Sequence, residues 1–326
     1  MELRGPLANL RRSDIEWARG QHALTRTLSA WRAEPIVAPV LAAMKRFGSG
    51  LPLERCPALA LLFAPANGRA DSFVHSLVAA GVAALDGHPL GQLPLRHGSH
   101  DAAPMLVLAQ AGSATLALAA YDAAALTALP APRTARFRPC ETWERVLAGS
   151  GKADRVLRDE QAPGGLRRDR LALAAGEVHY SYRPREALQV RHVDRAMAVL
   201  RLERRLQAHE PVREFALAGG ALVHQASAHK EDSRGELVLT LLGRMGRIDA
   251  VPQMARLALD GIDGGSDALR WRALREVLAL DAIAGIELLA QVAADPEDSL
   301  QCTAAALLAT LLAAQPGLRE TAAWPG

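Results

Sequence analysis

The sequence predicts an α+β protein with an N-terminal helical segment, a β-rich antiparallel body and a C-terminal antiparallel, helical-repeat-like domain. Three observations predict it. Residues 13–47 combine helix caps with apolar residues at helical spacing, residues 166–228 alternate apolar and polar positions between tight turns, and from residue 233 the apolar period lengthens to that of a helix. The expected organisation is a helical segment over 1–50, a β-rich body over 51–232 with a sub-boundary near 131–165, and a helical domain over 233–326.

The elements follow in order. Ser13-Asp14-Ile15-Glu16 reads as a capping box opening a helix to about Trp31, with Pro35 beyond its end. A second helix, Val37 to Phe47, aligns Val40, Leu41, Met44 and Phe47, and Gly48-Ser49-Gly50 closes it. Ser72 to Leu85 suits a helix or a buried strand equally. Met105 to Ala109 and Thr115 to Ala120 read as a hairpin around Gly112. Pro130, Pro132 and Pro139 break structure, Glu141 to Leu147 reads as a short helix, and Gln161 to Gly165 as a loop. Strands are then expected around Leu171 and Leu173, Val178 to Tyr182, Leu188 to Asp194, Met197 to Leu202, Val212 to Leu217 and Ala221 to Ala226. Such a succession suits a meander, a small sandwich or a partly closed barrel.

In the last third, Leu237, Leu241, Met245 and Ile248 share one helical stripe. Asp249 is placed to cap a helix to Leu259, ended by Gly261. Asp267 to Leu280 follows with Trp271, Leu274 and Leu278 aligned. Asp281 caps a helix that turns Ile286, Leu289 and Val292 inward, and Asp295-Pro296 opens the last helix, with Leu300, Leu307 and Leu311 on its stripe. One core is expected from Leu237, Leu241, Trp271, Leu274, Leu278, Leu289 and Leu307. The stretch from Trp271 to Pro296, continued to Pro316, resembles HEAT-type helical repeats, and that resemblance implies an extended surface offered to a partner.

Composition bounds the function. With 326 residues, 50% hydrophobic and 22% charged, the chain is neither disordered nor membrane-embedded in composition. Its lysines are Lys45, Lys152 and Lys230 against abundant arginine and alanine, the mark of a GC-rich bacterial genome. A net charge of +3, interleaved acids and 4% aromatics predict no specific nucleic-acid binding, only weak salt-sensitive association. Cys56, Cys140 and Cys302 are odd in number and far apart, which points to a reducing compartment and away from a disulfide or zinc framework. The first residues hold no apolar signal core, and the longest apolar runs, Pro57 to Ala66 and Ala304 to Ala314, are shorter than the roughly 20 residues that span a bilayer. A cytoplasmic location without membrane attachment is expected.

No catalytic motif names a reaction. Gly149-Ser150-Gly151-Lys152 fails as a phosphate loop, because Val146 stands where the first glycine is needed and Ala153 where the magnesium-binding hydroxyl is needed. Three histidine groups remain. His192-Val193-Asp194 ends an expected strand, where residues two apart share a face, and His224 lies on the last strand of the same region. A His-x-Asp pair with a distal histidine resembles the facial triad of non-heme iron, 2-oxoglutarate-type oxygenases. That resemblance implies His192, Asp194 and His224 as iron ligands and Arg234 as the partner of an acidic cosubstrate. The plainer alternative is a strand-end histidine and a turn-capping aspartate. His97-Gly98-Ser99-His100-Asp101 reads as a hairpin loop, and His224 with His229 flanks the passage into the helical region, a natural place for a ligand cleft. Arg167-Arg168, Arg201 and Arg204-Arg205 read as a solvated, acid-paired surface.

The function expected from these features is a non-catalytic accessory or interaction protein that binds a partner protein or peptide. The alternative is an iron-dependent enzyme built on His192, Asp194 and His224.

Overall fold

The computed structural model describes residues 14–65, 67–100, 103–206, 211–227, 230–260 and 266–314. The fold is α+β, and the chain divides into two compact units: residues 1–207 with 215–221, and residues 208–214 with 222–326.

The first unit begins with helices α1 (Ile15–Ala33), α2 (Ala38–Gly48), the short α3 (Pro57–Ala60) and α4 (Arg69–Gly87). Ser13 of the expected capping box lies outside the described residues, and Asp14 makes no side-chain cap. α1 buries Gly20, Leu24, Leu28 and Trp31 along one stripe, and the Trp31 indole N–H donates to Ser76 at 3.0 Å. The segment that suited helix or strand equally is α4, whose Phe73, Val74 and Leu77 are buried at helical spacing.

Strands β1 (Arg96–His100), β2 (Ala103–Ala111) and β3 (Ala114–Asp122) follow, then helix α5 (Ala123–Ala128), capped by Asp122 on the Ala125 N–H. Next come β4 (Thr134–Phe137), β5 (Cys140–Ala148), β6 (Ser150–Arg158), β7 (Leu166–Ala174), β8 (Val178–Tyr182), β9 (Glu186–Val193), β10 (Ala196–Arg205), β11 (Val212–Ala216) and β12 (Leu222–Ala226). A six-stranded antiparallel sheet runs β1-β2-β3-β10-β5-β8, and a three-stranded one runs β7-β6-β9. Helices α1 to α4 cover one face of the larger sheet, where Trp31, Phe47 and Phe73 share a core with Leu108, Leu116, Leu200 and Leu202. The other face shares a second core with the smaller sheet, through Tyr121, Val146, Met197 and Val199 against Ala153, Leu173, Leu188 and Val193. One glycine contact fixes the helical layer. Gly48 closes α2 against the β2–β3 turn, where a Cβ would run into the Ala111 carbonyl, and Ser113 donates to the Gly48 oxygen.

Two expectations need correction here. Glu141 to Leu147 is not a helix but lies in β5, paired with β10 and β8. Its charged residues defeat a propensity reading because their partners lie far along the chain. His97 and His100 stand in β1, paired with Leu106 and Ala103, and not in a loop; Asp101 lies outside the described residues.

In the second unit, helices α6 (Lys230–Arg244), α7 (Val251–Asp260), α8 (Asp267–Leu280), α9 (Ala282–Ala294) and α10 (Gln301–Ala314) form one packed set, α7 to α10 in succession and α6 on α8. Asp281 caps α9 on the Ile283 and Ala284 N–H groups, as its spacing predicts. Leu274 and Leu289 are fully buried, while Trp271, Leu278 and Leu307 are half-buried against the same core. The last helix starts at Gln301 rather than at Pro296, because Asp295 and Asp298 spend their carboxylates on the Glu297 and Leu300 N–H groups and form successive turns. Gly261 lies outside the described residues. Leu237, Leu241, Met245 and Ile248 are not core residues: all four are exposed. α6 turns Gly235, Leu239 and Gly243 inward instead, where Cβ atoms on the two glycines would meet Leu269 and Glu276. No helix among the described residues is long and apolar enough to cross a membrane.

Candidate functional site

The pleat of β9 carries His192, and Asp194 follows the strand's end. His192 Nε2 stands 3.4 Å from Asp194 Oδ1, both side chains being exposed at 58% and 64%. The Ser150 hydroxyl hydrogen-bonds the Asp194 carboxylate; this contact first, and the imidazole after it, hold the carboxyl below its usual range. The sequence thus brings two of the three expected ligands together. His224 is an exposed residue of β12 in the second unit, and Arg234 is exposed on α6. Among the described residues no group of three or more His, Cys, Asp and Glu side chains is placed to hold a metal. The geometry supplies a surface contact between the His192 imidazole and the Asp194 carboxylate.

Sequence reasoning missed a buried polar cluster between the two sheets. On β10, Leu200 and Leu202 point to the helices, so Val199 and Arg201 point the other way; on β5 the same face carries Thr142, Glu144 and Val146. Glu144 accepts from Arg201 Nε at 2.7 Å and from Arg183 at 3.1 Å, and Arg201 also reaches the Tyr121 hydroxyl at 3.2 Å. All of these side chains are buried. Arg138 pairs with Glu203 at 2.9 Å. Arg201 and Arg204, expected on a solvated surface, are instead directed to opposite faces of β10. Arg204 pairs with Glu141 and stacks over Phe47 at 4.3 Å. The only advance signal was the alternation of charge with leucine along residues 199–204.

Cys140 borders this cluster. Burial pushes its thiol up to about 11, against the opposing pull of Arg138. The reactive form is the thiolate, so at about pH 8 Cys140 stays protonated as well as enclosed. Cys56 is also buried and Cys302 is exposed. Iodoacetamide should therefore label the native protein at Cys302 alone, with Cys56 and Cys140 reacting only in denaturant, as peptide mass spectrometry will read. Rapid native labelling of Cys140 would contradict this placement.

Two surfaces of the second unit stand out. A cleft of about 540 Å³ is lined by Arg213, Gln225, Ser227, Ser266 and Trp271 among others, with Ser266 capping α8 and Arg213 held by Gln225 at 3.2 Å. Beside it in sequence, α6 and the turn after it present Leu237, Val238, Leu241, Met245 and Ile248 outward, each 53–70% exposed.

No family model matches the chain, and neither does any curated protein. The HEAT-type assignment of the helical region and its bacterial origin are therefore unsupported. Parts of the chain are similar to parts of solved structures. The 7S globulin of Momordica charantia is 13% identical over 39% of this chain and 36% of its own, with a TM-score of 0.26. The cupin domain of Drosophila melanogaster CENP-C is 11% identical over 35% of this chain and 76% of its own, also at 0.26. A putative mannose-6-phosphate isomerase from Ralstonia eutropha is 13% identical over 35% and 93%, at 0.24. The chain spans about a third of the globulin's length, and at these TM-scores the likenesses carry no argument about activity, ligand or partner.

Proposed function

We propose that the chain is a non-catalytic interaction protein that takes an acidic amphipathic helix of a partner protein on the outer face of α6. The observation that supports the reading is the exposed run of Leu237, Val238, Leu241, Met245 and Ile248. Exposed single leucines are ordinary, but three large apolar groups on α6 continued by two more on the turn after it are not. Leu237 and Leu241 stand one turn apart on α6, about 6 Å at the rise of a helix, and Met245 and Ile248 extend the patch on the turn beyond it, a surface suited to the i, i+4 anchors of a second helix. The orientation of α6 is itself fixed by small residues, since Gly235 and Gly243 let it approach Leu269 and Glu276 closely and leave its larger side chains outside.

Charge selects the partner. Arg234 and Arg244 are exposed at the margins of the face with no carboxylate partner among the described residues, and Arg247 is paired with Asp249 at 2.6 Å. A cationic rim around an apolar stripe complements carboxylates flanking leucine-type anchors.

Selection of displayed helical peptides on the full-length protein tests this. Enriched sequences should carry apolar anchors at helical spacing with acidic flanks, and should bind the Leu237→Glu/Leu241→Glu variant at least tenfold more weakly, the loss expected when central anchors are replaced by charge. Equal binding to both proteins, or association of the native protein with anionic vesicles in place of peptides, would overturn the reading.

A further inference from the structure

The first unit holds a second polar opening that no part of this proposal uses. At the far end of β6 the chain turns through residues 159–165 before β7, and beside that turn lies a cleft of about 610 Å³ lined by Arg158, Glu160, Leu166, Arg185, Phe215 and Gly220 among others. All of these residues belong to the first unit. Two glycine turns meet there. Gly164 and Gly220 both have left-handed backbones, at φ +69° and +67°, and a Cβ on Gly220 would collide with the Gly164 carbonyl. Only glycine allows the turns to touch and close that side of the cleft.

Arg158 and Arg185 are the unusual pair. The β6–β9 ladder sets Leu157 opposite Glu186, and the Arg158 N–H donates to the Arg185 carbonyl at 2.9 Å, so the two arginines are cross-strand neighbours. Like charges directly opposite one another destabilise a sheet. Several arginines of these strands have acids: Arg155 has Asp169, Arg168 and Arg191 have Asp154. Among the described residues neither Arg158 nor Arg185 has a carboxylate partner; Arg158 lies over the Phe215 ring at 5.4 Å. Phe215 is fixed from behind by an edge-on contact with buried Phe137 at 5.7 Å, and Leu166 packs on the same cluster.

We propose that this cleft binds a small carboxylic acid, its carboxylate held between Arg158 and Arg185 and its apolar body laid against Phe215 and Leu166. Guanidinium forks match carboxylate oxygens, and the cleft has the volume of a small-molecule site. The charge balance selects a monoanion. Asp159, also in the lining, is engaged by Arg167, 3.6 Å away, and by the Gln161 N–H, which leaves two arginines against Glu160 for a ligand. The net of one positive charge suits a carboxylate, whereas a phosphoryl dianion would leave excess negative charge beside Glu160. A free acid and the C-terminus of a peptide present the same chemistry.

Calorimetric titration and thermal melting of the full-length protein test the assignment with four probes: benzoate, acetate, phenyl phosphate and N-acetylphenylalanine. Benzoate should bind one to one and raise the melting temperature, acetate and phenyl phosphate more weakly. Arg185→Gln should weaken benzoate at least tenfold, since it removes one charge-assisted fork. Without ligand that variant should melt no lower than the native protein, because a cross-strand repulsion is gone. Tighter binding of N-acetylphenylalanine than of benzoate assigns the site to a chain terminus, and the reverse assigns it to a free acid; either supports the carboxylate site. Absence of saturable benzoate binding at millimolar concentration, preference for phenyl phosphate, or unchanged affinity in Arg185→Gln would overturn it.

Discussion

Replacing Glu144 by alanine should destabilise the first unit by about 3–5 kcal/mol, the cost of leaving buried charge without its partner. Glu144 is the carboxylate shared by Arg183 and Arg201, and all three are buried between the two sheets. Its removal leaves two guanidiniums facing each other in a region of low polarisability. The Tyr121 hydroxyl and Thr142 can accept hydrogen bonds from them but carry no charge. Glu144→Gln should fall between alanine and the native residue, since it keeps an acceptor and loses the charge. The diagnostic variant is the triple change Glu144→Leu, Arg183→Leu and Arg201→Met. Apolar replacement of a whole buried ion cluster is often neutral or better, so the triple variant should be more stable than Glu144→Ala alone. Urea denaturation followed by tryptophan fluorescence reads the order, with Trp143 on the opposite face of the same strand as reporter. A midpoint shift for Glu144→Ala worth less than about 1 kcal/mol would show that water reaches the cluster and screens it.

The cluster also marks the limit of what the sequence discloses. Within β5 the order Glu-Thr-Trp-Glu-Arg-Val-Leu carries charge on both faces, so no alternation of apolar and polar residues is visible. Those charges are satisfied by Arg201 and Arg204, roughly sixty positions later, and by backbone oxygens of Ala64 and Asn67 that receive Arg145. Pairings at such separation leave no local trace. Several local signals match the structure: Asp281 caps α9 from two N–H groups within three residues, Asp267 and Leu280 bound α8, and the β2–β3 hairpin turns at Gly112; others do not, since Asp249 spends its carboxylate on Arg247 and Asp295-Pro296 forms a turn before the last helix. At the candidate sites the same division holds. The i, i+2 spacing of His192 and Asp194 puts them on one side of the chain, where their side chains meet at 3.4 Å. The juxtaposition of Arg158 with Arg185 depends on a ladder register that no single segment encodes.

Leu274→Ala should cost about 2–5 kcal/mol in the second unit, whereas Leu237→Ala should lie within about 0.5 kcal/mol of the native protein. By apolar spacing alone the two leucines are equivalent, each on a helical stripe. The structure separates them. Leu274 has no exposed surface and sits with Ala273, Val277 and Leu289 in the helical core, so truncation opens a cavity among side chains that α8 and α9 hold in place. Leu237 is 70% exposed, and what α6 buries is Leu239, flanked by the two glycines that face α8. Two further substitutions check the direction in which α6 faces. Leu239→Ala should be costly and Gly243→Ala milder, because a Cβ there meets the flexible end of the Glu276 side chain, which can shift away from its 2.6 Å pairing with Arg272. If Leu237→Ala proved as damaging as Leu274→Ala, α6 would face inward with its leucines. The partner-binding face would then not exist, whatever the binding selections returned.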